Sequence, residues 1–175
     1  MGKITIKEMN FVLGENGKEY ILEDVNFNII KAKIPSEING LPVTTIDSGA
    51  FANCFELISI TIPNSITTIG NSTFTHCSKL TEAVIPDSVI SIGNYAFYNC
   101  GKLKSIILSD ISVIGECAFY GCEKLTSIII PNSVTTIGDC AFAYCEGLEL
   151  VTIPKVPDME KSAFLGCYKL KFNRV

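Results

Sequence analysis

The 175-residue chain has no tryptophan, one histidine and little net charge, with 14 Lys and Arg against 18 Asp and Glu for a balance of −4. Each shortage excludes something. Phosphate backbones are bound by dense Lys/Arg faces, so a slightly acidic chain is not built for nucleic acid. Nucleophilic catalysis needs a base oriented by a third group, and the lone His76 has no paired nucleophile. The 13 glycines are spread along the chain, so no phosphate-cradling loop forms. Acidic residues stand singly, without the pairs that general acid–base chemistry or calcium loops require. No run of about 18 apolar residues occurs, and no membrane span is predicted. The opening MGKITIKEMNF lacks the apolar core of a secretory signal. An enzyme is not expected, nor is a cofactor or a resident metal.

What the chain does have is a repeat, and self-similarity at a fixed period decides the fold before any local reading. Phe recurs at Phe51, Phe74, Phe97, Phe119, Phe142 and Phe164, in steps of 22 or 23 residues. Three residues after each comes a Cys (Cys54, Cys77, Cys100, Cys122, Cys145, Cys167). Three further on comes a Leu (Leu57, Leu80, Leu103, Leu125, Leu148, Leu170). Each Leu opens a short apolar run, such as LISITIP from Leu57 or LTSIIIP from Leu125, with apolar residues at offsets 3 and 5. Those two offsets share one face of a strand. Pro at offset 6, which has no N–H to donate, ends the strand in four of the first five copies.

A turn and a second apolar piece follow, as in SITTIG at 65–70 and SVTTIG at 133–138. Gly70, Gly93, Gly115 and Gly138 close that piece, where a positive φ or a tight corner is expected. Each repeat therefore reads as strand, turn, short extended or helical return, and turn. One such unit cannot bury its apolar side alone, whereas six stacked units make a continuous core.

The strand and the fuller pattern I-P-x-S-V-x-x-I-G-x-x-A-F-x-x-C-x-x-L resemble the BspA-like subclass of leucine-rich repeats, over about residues 34–175. The resemblance implies an α/β-type leucine-rich-repeat solenoid: a right-handed superhelix, mostly β and irregular, with a parallel sheet on its concave face. Two departures stand out. Ser65, Ser88 and Ser133 occupy the place where the common repeat has Asn or Cys bonding the turn backbone, so a hydroxyl is expected to serve there. Two repeats are a residue short, around Ser109–Ile111 and Pro154–Val156, which predicts locally tighter turns.

Residues 1–33 lack the repeat and alternate as strands joined by a turn at Gly14–Lys18, so they are read as an N-terminal β-hairpin cap on the array 34–175. LKFNRV at 170–175 opens a further strand with no capping sequence after it, the pattern expected either of a native protein that continues or of a truncated array.

Among the eight cysteines, six sit at the repeat position, where a small apolar side chain fits a core. Buried free thiols are the expected state. Disulfides and a Cys₄ cluster are the alternatives, since Cys117 and Cys140 stand outside the repeat position with four residues between them and Cys122 and Cys145. His76 stands where other copies carry Asn53, Asn99, Gly121, Tyr144 and Gly166, a variety that suggests surface filling. Lys79, Lys102, Lys124 and Lys169 share a position before the Leu and read as a solvated edge.

The strand residues facing away from the core are the informative set. Offset 2 gives Ser59, Glu82, Ser105, Ser127 and Leu150, and offset 4 gives Thr61, Val84, Ile107, Ile129 and Thr152. Val84, Ile107 and Ile129 form a β-branched ridge that strand propensity alone could place there, but exposed apolar ridges more often mark contact surfaces. The expected partner is a protein. The family resemblance adds that such proteins are adhesins and host-interaction factors at a cell surface or secreted. The alternative is a structural spacer with no ligand of its own.

Overall fold

The computed structural model describes residues 3–153 and 158–174 as a mostly-β solenoid of about six turns with parallel sheets. The chain opens with an antiparallel meander of β1 (Lys3–Ile6), β2 (Met9–Leu13) and β3 (Tyr20–Val25). Gly17, at φ 66°, turns β2 into β3 through N–H to carbonyl bonds between residues 14, 17 and 19. Next come β4 (Lys31–Lys33) and the hairpin β5 (Glu37–Ile38) and β6 (Leu41–Ile46). Asn39 and Gly40 both take positive φ between those two strands, the geometry that an Asn-Gly pair supplies. The repeat pattern conceals this hairpin, because 34–51 scans as a lead-in to the first copy.

From there each turn adds one strand to each of two parallel series. The longer strands are β7 (Ser59–Thr61), β9 (Glu82–Val84), β11 (Ser105–Ile107), β13 (Ser127–Ile129), β15 (Leu150–Ile153) and β17 (Lys171–Arg174). The two-residue strands are β8 (Thr68–Ile69), β10 (Ser91–Ile92), β12 (Val113–Ile114), β14 (Thr136–Ile137) and β16 (Asp158–Met159). The short series forms one continuous sheet that β3 enters through β6, so the meander extends the solenoid's own ladder. Likewise β4 lies in register with β7, pairing Lys31 with Ser59 and Lys33 with Thr61. The return segments are thus strands, which corrects the α/β-type expectation; the sole helix among the described residues is the 3-10 turn Lys161–Phe164. β-branched Ile, Val and Thr at these positions explain the choice, since they fit a pleat better than a helical turn.

The third side of each turn has no strand but is hydrogen-bonded along the axis all the same. Gly49, Phe51 and Asn53 donate their N–H groups to the carbonyls of Asn71, Thr73 and Thr75 one turn on, while Ala50, Ala52 and Cys54 bond backward within their own turn. Residues in the left-handed region recur there, namely Asn53, His76, Asn99, Gly121, Tyr144 and Gly166, and in a second row Gly49, Ser72, Tyr95, Cys117 and Cys140. His76 therefore occupies a position with a fixed backbone demand, and the variety of side chains there hides a shared conformation.

Phe51, Phe74, Phe97, Phe119, Phe142 and Phe164 stack ring on ring with centroids 5.0–5.3 Å apart, and the first five are fully buried. The cysteine ladder runs beside them. Cys77, Cys100, Cys122, Cys145 and Cys167 each donate an S–H to the carbonyl of a Phe in the preceding turn, at 3.0–3.3 Å. A thiol thus fills an apolar slot and also ties two turns together. Where Thr73 replaces the usual Ala, its buried hydroxyl donates to the Gly70 carbonyl at 2.7 Å.

The closing glycines have a different reason from the expected one. None of Gly70, Gly93, Gly115 and Gly138 has a positive φ. Instead the preceding turn lies too close for a side chain: a Cβ on Gly93 would sit 2.7 Å from the Gly70 carbonyl oxygen, and one on Gly138 2.6 Å from the Glu116 nitrogen. Beside them Ser48, Asn71 and Asn94 accept backbone N–H bonds from Asn71, Asn94 and Glu116, a polar ladder that fills the role expected of the serines. Of those serines, only Ser88 bonds a backbone carbonyl, that of Ile66. Ser65 and Ser133 are buried without a partner among the described residues.

The short repeat at 109–111 does tighten. Elsewhere the turn closes over four residues, as in Ile66 N–H to the Pro63 carbonyl; here the Ile111 N–H reaches the Ser109 carbonyl, one residue sooner. At the same turn the long-strand sheet divides into β4-β7-β9-β11 and β13-β15-β17. The second short repeat, Pro154–Val156, lies outside the described residues.

The environments of the thiols give an expected order of reaction. Iodoacetamide or a chromogenic disulfide should label Cys117 and Cys140 first, both being partly exposed. Cys54 and Cys167 at the ends of the ladder, each pushed up to about 11 by burial, should follow slowly. Cys77, Cys100, Cys122 and Cys145 should react only on unfolding. Early labelling of Cys100 would contradict the packing.

Candidate protein-binding face

In β9, β11, β13 and β15 a residue flanked by outward neighbours points into the core. Ala83, Ile106, Ile128 and Val151 are buried, while the flanking side chains form two columns on one face. In-register pairing builds the first column from Lys31, Ser59, Glu82 and Ser105, then Ser127, Leu150 and Lys171. The second runs Lys33 and Thr61, then Val84 and Ile107, then Ile129, Thr152 and Asn173. All ten residues picked out by alternation lie in these columns. Thr61, Glu82, Val84, Ser105, Ile107, Ser127, Ile129 and Leu150 are exposed, and Ser59 and Thr152 are half-buried.

The apolar members are well presented: Val84 is 56% exposed, Ile107 58% and Ile129 70%. Leu150 adds to the same face from the first column at 43%. Ile107 and Ile129 straddle the division of the sheet, which opens a cleft of about 260 Å³ between Ser105–Leu108 and Ser127–Ile129. Alternation cannot reveal this cleft, because it lies between two strands and alternation reads along one. The lysines at the ends of the columns were also missed. They lie beyond the repeat pattern, and only the pairing of β4 with β7 and of β17 with β15 puts them on this face.

The columns present hydroxyls, aliphatic groups and the single carboxylate of Glu82, with Lys31, Lys33 and Lys171 at their ends. Among the described residues no group of three or more His, Cys, Asp or Glu side chains could hold a metal ion, and no helix is long and apolar enough to cross a membrane. His76 lies elsewhere, against Tyr98, their ring centroids 5.6 Å apart. The lysine stripe is solvated at least in part by pairing, as Lys79 lies 2.6 Å from the Glu56 carboxylate of the preceding turn.

Comparison with known proteins agrees with this architecture. The chain is 29% identical to a leucine-rich-repeat protein of T. pallidum, with a TM-score of 0.87 over 98% of this chain and 81% of that one. A leucine-rich-repeat protein of Bacteroides ovatus is 28% identical with a TM-score of 0.82, over 98% of this chain and 52% of its own. A leucine rich cell surface protein of Faecalibacterium prausnitzii is 25% identical with a TM-score of 0.78, over 99% of this chain and 55% of its own. The chain thus spans four-fifths of the first and about half of the other two. No curated protein matches it. The BspA type leucine rich repeat region matches in six copies across residues 44–171, more than half of the sequence, and the chain belongs to that family.

Proposed function

We propose that the chain is a non-catalytic protein-binding module, displayed at a cell surface or secreted and used in adhesion or host interaction. Its contact surface is the outward, concave face of the long strands, centred on Val84, Ile107 and Ile129, with residues 1–33 capping the array. The observation that carries the reading is the exposure of three β-branched side chains on one face, Val84 and Ile107 on paired strands and Ile129 across the division of the sheet. A rigid face loses little entropy when it binds, and an apolar centre ringed by Ser59, Thr61, Glu82, Ser105, Ser127, Leu150 and Thr152 matches the anatomy of protein contacts. The surface location draws support from the Faecalibacterium neighbour, which is described as a cell surface protein.

An Ile107→Asp, Ile129→Asp double variant tests this. Both sites are exposed, so stability should change by no more than about 1 kcal/mol in total. Capture of immobilised host-surface and extracellular-matrix proteins should fall by at least about 30-fold, because a carboxylate at an apolar contact centre must be desolvated without a partner. A variant that melts many degrees lower would mean that the face is not free. One that melts normally and still binds would place the contact elsewhere, and a parent chain that binds nothing would favour a spacer.

A further inference from the structure

Six cysteines belong to the core ladder, but Cys117 and Cys140 do not. They occupy the second left-handed row, at φ 50° and 52°, on consecutive turns. The rows are stitched together at this point, the Cys117 N–H donating to the Asp139 carbonyl at 2.9 Å. Hydrogen-bonded parallel neighbours lie about 4.8 Å apart, and disulfides form across Cα separations of about 4.4–6.8 Å. Both thiols are partly exposed and sit at the same position of neighbouring turns, whereas five of the ladder thiols are committed to Phe carbonyls. The other members of the row are Gly49, Ser72 and Tyr95, so nothing in the backbone demands cysteine here.

We propose that Cys117 and Cys140 form a cross-turn dithiol site that low-molecular-weight disulfides such as oxidised glutathione close to a disulfide. The thiolate of one cysteine attacks the small disulfide, forming a mixed disulfide and expelling one glutathione thiolate. The second cysteine then attacks the protein sulfur of that mixed disulfide and expels the other glutathione. The protein loses two electrons and two protons, and one oxidised glutathione becomes two reduced molecules. The bond ties the two turns that flank the division of the long-strand sheet, since Cys117 and Cys140 lie on either side of β13 in sequence. Burial holds both thiols above the ordinary range, as do the adjacent carboxylates of Glu116 and Asp139, while Tyr95 acts in the opposite sense on Cys117. Exchange should therefore be faster in mildly alkaline buffer, where more thiolate is present.

The whole folded chain, treated with oxidised glutathione and then quenched with an alkylating agent, supplies the test. Its mass should fall by two hydrogens with no retained glutathione. Chymotrypsin, cutting after Phe119 or Tyr120 and after Phe142 or Tyr144, should release one linked pair of peptides holding residues 117 and 140. Cys117→Ser should leave a stable glutathione adduct on Cys140, and Cys140→Ser the reverse. Serine is tolerated in this row, as Ser72 demonstrates. Stable adducts on both cysteines of the parent chain would overturn the proposal, as would a link to Cys122 or Cys145, or no reaction at either thiol while the protein stays folded. None of these readouts depends on a binding partner.

Discussion

Phe97→Ala should lower the stability of the chain by about 3–5 kcal/mol, and Phe164→Ala by clearly less. Phe97 is fully buried between Phe74 at 5.0 Å and Phe119 at 5.3 Å, nearly parallel to the latter at 8°. Removing its ring deprives both neighbours of a stacking face and opens a void that neither can enter, because each is held by its own turn. Phe164 has only one stacked neighbour, Phe142, and meets Phe172 edge-on. It is also half-buried, so water already touches part of the surface that the variant would vacate. Urea denaturation of the two variants measures the difference. Equal losses would mean that stability is not passed between neighbouring turns as a one-dimensional stack requires.

Gly93→Ala should cost about 3 kcal/mol, an unusually large loss for one methyl group. The added Cβ would meet the Gly70 carbonyl oxygen at 2.7 Å, the Gly70 carbonyl carbon at 2.8 Å and the Asn71 amide oxygen at 2.9 Å. Two of those atoms are backbone, and they cannot swing aside as the end of a side chain would. Relief requires separating two turns, which weakens the short-strand pairing of Ile92 with Ile69. Gly101 is the control. It has no positive φ, and nothing lies within 4 Å of a Cβ built there, so Gly101→Ala should be neutral or stabilising by up to about 1 kcal/mol. Comparable melting temperatures for the two variants would refute the close-approach account.

These two sites also mark what could be read before any coordinates. The Phe, Cys and Leu ladders were legible because core positions tolerate few residue types, so the 22–23-residue period survives in the letters themselves. The outward columns followed from alternation. The glycines were visible as necessary, but spacing cannot distinguish a backbone that needs positive φ from one that needs an empty side. The left-handed row through His76 was hidden for the opposite reason: Asn, His, Gly and Tyr all occupy it, so the constraint lies in φ and not in the residue. The cleft beside Ile107 lies where β11 and β13 are not paired, a relation between turns that local spacing does not display. The hydroxyls of Ser65 and Ser133, expected to bond the turn backbone, are buried without a partner among the described residues.

The stitching of each turn to the next makes the length of this protein a quantity that changes in steps. The short-strand ladder absorbs a one-residue difference between turns, stepping from Ser91 to Val113 and from Val113 to Thr136 without losing register. Deleting or duplicating a whole turn of 22 or 23 residues would leave every junction with the same kind of neighbour. Unequal recombination between copies in the gene can therefore lengthen or shorten the rod by about 4.8 Å at a time without a new folding problem. Whole-repeat indels change the length and leave the cross-section alone, so reach can evolve faster than shape.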